Sequence, residues 1–160
     1  MTDPSYATRA AGAPTAVDVG RLWAGGLATA GVAALASMVG FLIARGLFGV
    51  PVLAPARDGA WGGVSTPLYA LCAGFVALVA TGLIHVLLLT TPTPYQFFGW
   101  IMGLAIAAGV LAPFMTGATL SAKIVTAVIN LTVGVAVWSL VAGVARNAVH
   151  RAATRAADVR

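Results

Sequence analysis

A chain of 160 residues that is 60% hydrophobic and only 8% charged has too little charge to hydrate the surface of a water-soluble globule, since soluble domains carry about 25% charged residues. The formal net charge is +5, but the nine Lys and Arg residues flank apolar runs rather than gathering in one basic domain, which argues against nucleic acid as a partner and for anchoring at a membrane surface. There is no Glu, and Asp3, Asp18, Asp58 and Asp158 all lie outside the apolar runs; the single cysteine, Cys72, precludes an intrachain disulfide.

Residues 1–20 are polar and small, with two prolines, and read as a disordered cytoplasmic tail. They lack the basic, apolar and cleavage-site layout of a signal peptide. A membrane domain follows over 21–146, with four runs that meet the requirement of about 20 apolar residues for a spanning helix. The first covers 22–44 and is bracketed by Arg21 and Arg45. A Gly- and Pro-rich link of 46–66, holding Val50, Pro51, Asp58 and Trp61, leads to the second run at 67–90 and is expected to lie at the membrane interface. Thr91-Pro92-Thr93-Pro94 is so short that the third run, 95–114, must return antiparallel. Pro113 and a short link precede the fourth run, 123–145, and a basic tail of 147–160 continues it. All four runs are apolar on every side, which suits lipid and not a soluble bundle. The expected fold is all-α: a four-helix transmembrane bundle with the lipid bilayer as its solvent.

Orientation follows from the basic residues. Four spans put both termini and the second link on one side, with Arg9, Arg21, Arg146, Arg151, Arg155 and Arg160; the other side has Arg45, Arg57 and Lys123. The excess of positive charge marks the cytoplasmic side, so both termini are expected there. Trp23 and Trp100 near the inner interface and Trp61 in the outer link fit that placement.

Few residues within the spans could carry chemistry. His85, about five residues from the inner end of the second span, is the one ionisable side chain clearly inside a run, and such residues are ligand or proton-relay candidates. No acid accompanies it, so a neutral imidazole bonded to a nearby hydroxyl is the competing reading. Asn130 lies about 10 Å inside the outer end of the fourth span at 1.5 Å per residue, and Ser37 and Cys72 fall at similar depth. These three are expected to form an interhelical polar layer, worth about 0.6 kcal/mol per contact. Thr29, His85, Gln96 and Ser139 fall near one another toward the inner face, and His85 and Asn130 are too far apart in depth to touch. Gly99 and Gly103 form a GxxxG continued by Ala107, and Gly26, Ala30, Ala33 and Ser37 form a similar series in the first span; both permit close helix packing, within the bundle or against a second copy. The metalloprotease, hydrolase-elbow and phosphate-loop motifs and paired carboxylates are absent from the sequence. A non-enzymatic protein without cofactor or metal is therefore expected.

Gly49-Val50-Pro51 after the first span, Pro113 closing the third, and Ser121-Ala122-Lys123 followed by Asn130 resemble an uncharacterised family of small four-span membrane proteins of actinobacteria. The resemblance covers 21–146. It implies a histidine where Asn130 stands and acids before Lys123, and this chain departs on both counts. It implies no activity. Two functional classes remain from the residues themselves: an accessory or scaffold subunit of a bacterial plasma membrane, with a membrane-protein partner or as a homodimer, or a small dimeric carrier or channel for an apolar or cationic compound with His85 as gate or relay.

Overall fold

The computed structural model describes residues 18–46, 49, 52–55, 61–63 and 66–158; residues 1–17, and with them most of the expected N-terminal tail, lie outside the described residues, as do Val50, Pro51, Arg57, Asp58 and Arg160. Among the described residues there are four long helices: α1 Val19–Gly46, α2 Thr66–Thr90, α3 Pro94–Leu111 and α4 Leu120–Asp158. All four are long and apolar enough to cross a membrane. Two three-residue strands, β1 Leu53–Pro55 and β2 Trp61–Gly63, pair antiparallel in the link between α1 and α2, with Ala54 opposite Gly62. This hairpin was not anticipated; pairing satisfies backbone groups that lipid would leave bare.

The helix ends follow local chemistry. The Asp18 carboxylate accepts the Arg21 amide at 3.2 Å, and the Asp18 carbonyl accepts that of Leu22 at 3.0 Å. This N-cap starts α1 inside what the sequence suggested was tail. Pro94 occupies the first turn of α3, where its missing N–H costs nothing. Leu111 passes into a 3-10 turn, Ala112–Met115, because Pro113 cannot continue the α-helical ladder. By contrast α4 runs unbroken for 39 residues.

The helices are antiparallel neighbours, with α2 packed chiefly on α1, α3 on α4, and α1 also on α4. One end of the bundle, the turn end, carries the α2–α3 turn with the start of α1 and the later part of α4. The other, the hairpin end, carries β1 and β2. The larger core cluster includes Leu22, Ile84, Phe98, Val137, Val141 and Ala145. A smaller one at the hairpin end joins Phe41, Ala44, Val52 and Ile129, with Tyr69 packed against it. Val52 is thereby buried against α1 and α4. Large apolar side chains remain outside, among them Leu71, Phe75, Trp100 and Leu104, each 67–69% exposed. A water-soluble monomer does not tolerate so continuous an apolar surface, whereas hydrocarbon solvates it.

Small residues set the closest approaches. A Cβ on Gly26 of α1 would sit 2.5 Å from Thr81 Cγ2 of α2, and Gly25 is similarly closed by Val144 of α4. A Cβ on Gly134 of α4 would sit 2.7 Å from Ile106 Cγ1 of α3.

Candidate functional site: a lateral cleft beside a polar clasp

The local cause of the site is Pro113. In an α-helix the carbonyl of residue 109 accepts the amide of residue 113, and proline has none. The Gly109 carbonyl is left without its helical partner near the end of α3. Asn130, on α4, fills the vacancy: its Nδ2 donates to the Gly109 oxygen at 2.7 Å. The Tyr69 hydroxyl of α2 donates to Asn130 Oδ1 at 2.5 Å. One side chain thus ties three helices together. The Tyr69 ring lies 6.3 Å from that of Phe41 on α1, and the Arg45 guanidinium sits 5.2 Å over Phe41, so the clasp is seated on aromatic and cationic contacts reaching the end of α1.

Beside the clasp is a cleft of about 270 Å³ between the parts of α2 and α3 remote from their turn, with α4 and α1 behind it. Asn130, Ser37 and Cys72, the three residues expected as a polar layer, all line it. They meet around a space rather than through mutual bonds. Ser37 is buried and donates to the Ala33 carbonyl at 2.8 Å; Cys72 is exposed; Asn130 bonds Tyr69 and Gly109 instead. Sequence reasoning missed Tyr69 and Gly109. Both had a signal: Tyr69 is one helical turn from Cys72 on the same face, and Gly109 is four residues before a proline.

His85 lies elsewhere. It is half-buried near the turn end, edge-on to Trp23 of α1 with ring centroids 6.4 Å apart. The residues expected around it are directed to their own helices or outward: Thr29 donates to the Gly25 carbonyl at 2.9 Å, Ser139 to that of Ala136 at 3.0 Å, and Gln96 is exposed. Near the same end Arg146 lies 5.7 Å over the Tyr95 ring.

The two small-residue series have different fates. On α1, Gly26, Ala33 and Ser37 are buried against neighbouring helices. On α3, Gly103 has no atom of the described residues within 4 Å of where a Cβ would stand, Gly99 only reaches the edge of Trp138 at 3.9 Å, and Ala107 is exposed. The glycine ladder of α3 faces away from the bundle. Among the described residues no group of three or more His, Cys, Asp or Glu is placed to hold a metal ion.

Helices of this length and apolarity, with lipid-type surface around a small-residue core, define a multi-pass membrane protein. Residues 17–147 match the model of a family of unknown function, DUF6069, and the chain belongs to that family. No curated protein and no solved structure matches it.

Proposed function

We propose that this is a non-enzymatic accessory or scaffold subunit of a bacterial, specifically actinobacterial, plasma membrane, with both termini cytoplasmic, and that it engages a partner's transmembrane helix through α3. The observation that carries the reading is the outward glycine ladder. Gly103 and Ala107 present a flat strip with no occupant from the bundle, while the equivalent strip of α1 is already covered. In lipid the attraction between helices comes from close van der Waals contact, so small residues on a bare face favour a second helix. Trp100, 69% exposed beside the strip, offers an aromatic edge to such a partner. The excess of Arg on the side of the termini, including Arg21 and Arg146, supports the orientation.

The test is purification from native membrane in mild detergent, comparing wild type with Gly103→Leu. Co-elution with a second membrane protein or a second copy, lost in Gly103→Leu while the variant itself stays monodisperse, is the expected result. Wild-type chain that always elutes alone overturns the reading.

A further inference from the structure

The cleft beside Asn130 has properties that the outer face of α3 lacks. Cys72 and Val76 on α2 and Ala105 on α3 are exposed and line it, and all three lie within spanning segments. Its mouth therefore opens sideways into hydrocarbon, and anything entering it arrives through the lipid. The volume, about 270 Å³, is nearly twice that of an engineered cavity of about 150 Å³ that accepts benzene. That is room for a ring or a short length of chain, and too little for a phospholipid headgroup. Among the described residues none of the lining side chains carries a charge, and an uncharged lining does not stabilise an ion removed from water. The occupant is neutral.

The polar end narrows the chemistry further. Asn130 Nδ2 has two hydrogens and gives one to Gly109; its Oδ1 has two lone pairs and takes one hydrogen from Tyr69. Among the described residues one donor and one acceptor of the same amide are left over, and the Tyr69 oxygen can also accept. A single hydroxyl group both accepts and donates, and matches this pair. A purely aliphatic occupant would leave both bare in a medium with no water to satisfy them.

We infer that the cleft between α2 and α3 is a binding site for a neutral lipid-soluble alcohol, its hydroxyl on Asn130 and its hydrocarbon leaving between Cys72, Val76 and Ala105. This inference is independent of the accessory-subunit reading, because it needs no second protein.

Cys72 is the only cysteine in the chain and lines the cleft, so it reports occupancy without engineering. The full chain is reconstituted alone in phosphatidylcholine vesicles and labelled with the membrane-permeant thiol reagent monobromobimane, with 1-dodecanol or dodecane present at matched concentrations in the bilayer. Saturable protection of Cys72 by dodecanol is expected, at about fivefold lower concentration than dodecane requires, the ratio given by one net hydrogen bond of about 1 kcal/mol. Tyr69→Phe, which frees the amide from its phenol and removes one acceptor, should shift the dodecanol curve and leave the dodecane curve in place. Ala73→Leu, which fills the cleft wall, should abolish saturable protection. Equal protection by alcohol and alkane overturns the inference, as does protection that Ala73→Leu leaves intact in a variant that elutes like wild type. An absence of protection at any concentration overturns it too.

Discussion

The two ends of this bundle are held together by opposite means. At the turn end, helices approach until glycine is the only residue that fits: Gly25 is closed off by Val144 and Gly26 by Thr81, and the hydroxyls of Thr29 and Thr81 each bond to their own helix. At the hairpin end α2 and α3 stand apart around a cleft, although Gly134 of α4 still meets Ile106 of α3 closely, and one amide reaches from α4 to α2 and α3. In a solvent that supplies no hydrophobic force between helices, the first arrangement relies on contact area and the second on hydrogen bonds. At Gly25 and Gly26 the first tolerates no added atom; the second leaves space between α2 and α3 but does not tolerate the loss of its central residue.

Substitutions should separate the two regimes. The largest effect is expected from Gly26→Val, whose side chain would overlap Thr81; overpacking of this kind costs about 3 kcal/mol at its upper end. A strong fall in the thermal midpoint in detergent, with loss of monodispersity, would be read by size-exclusion chromatography. A normal profile would mean that the turn end has slack it should not have. Asn130→Leu comes next, at about 1–2 kcal/mol, because it strands the Gly109 carbonyl as well as removing two bonds. The sharper measurement repeats it in a Pro113→Ala background. An amide at 113 restores a helical partner for Gly109, so the cost of Asn130→Leu should fall; a double-mutant cycle with no coupling would refute the link between proline and asparagine. Tyr69→Phe removes one interhelical bond and should cost about 0.6 kcal/mol, measured by the same melts. The smallest effect belongs to Gly103→Leu. With nothing near its Cβ position, it should alter the stability of the isolated chain by less than about 0.5 kcal/mol, and any larger loss would place that face inside the bundle's own packing.

The sequence disclosed the spans because hydropathy over twenty residues is a property of a segment alone. It also disclosed the α2–α3 turn, since two prolines in four residues leave the chain little choice. What it could not disclose was which face of each helix meets which neighbour. The series through Gly26 and the series through Gly99 read alike, yet one is buried and the other bare; rotation of a uniformly apolar helix about its axis leaves no periodic trace to read. Asn130, Ser37 and Cys72 were legible as residues of one depth, because depth follows from counting along each helix. Their arrangement around a cleft was not, since it depends on how far α2 and α3 diverge. The partner of Asn130 was within reach of reasoning, because a proline names the carbonyl it strands. The β-hairpin was hidden for another reason: three-residue strands in a Gly- and Pro-rich link carry too short a pattern to count.

The 39-residue α4 is about 58 Å long at 1.5 Å per residue, roughly twice the thickness of the hydrocarbon it crosses. Its ladder contains no proline and no 3-10 interruption, so it has no joint. A rod without a joint passes a push on its far end along its whole length, and Val144, wedged against Gly25, hands part of that push to α1 before it reaches Asn130.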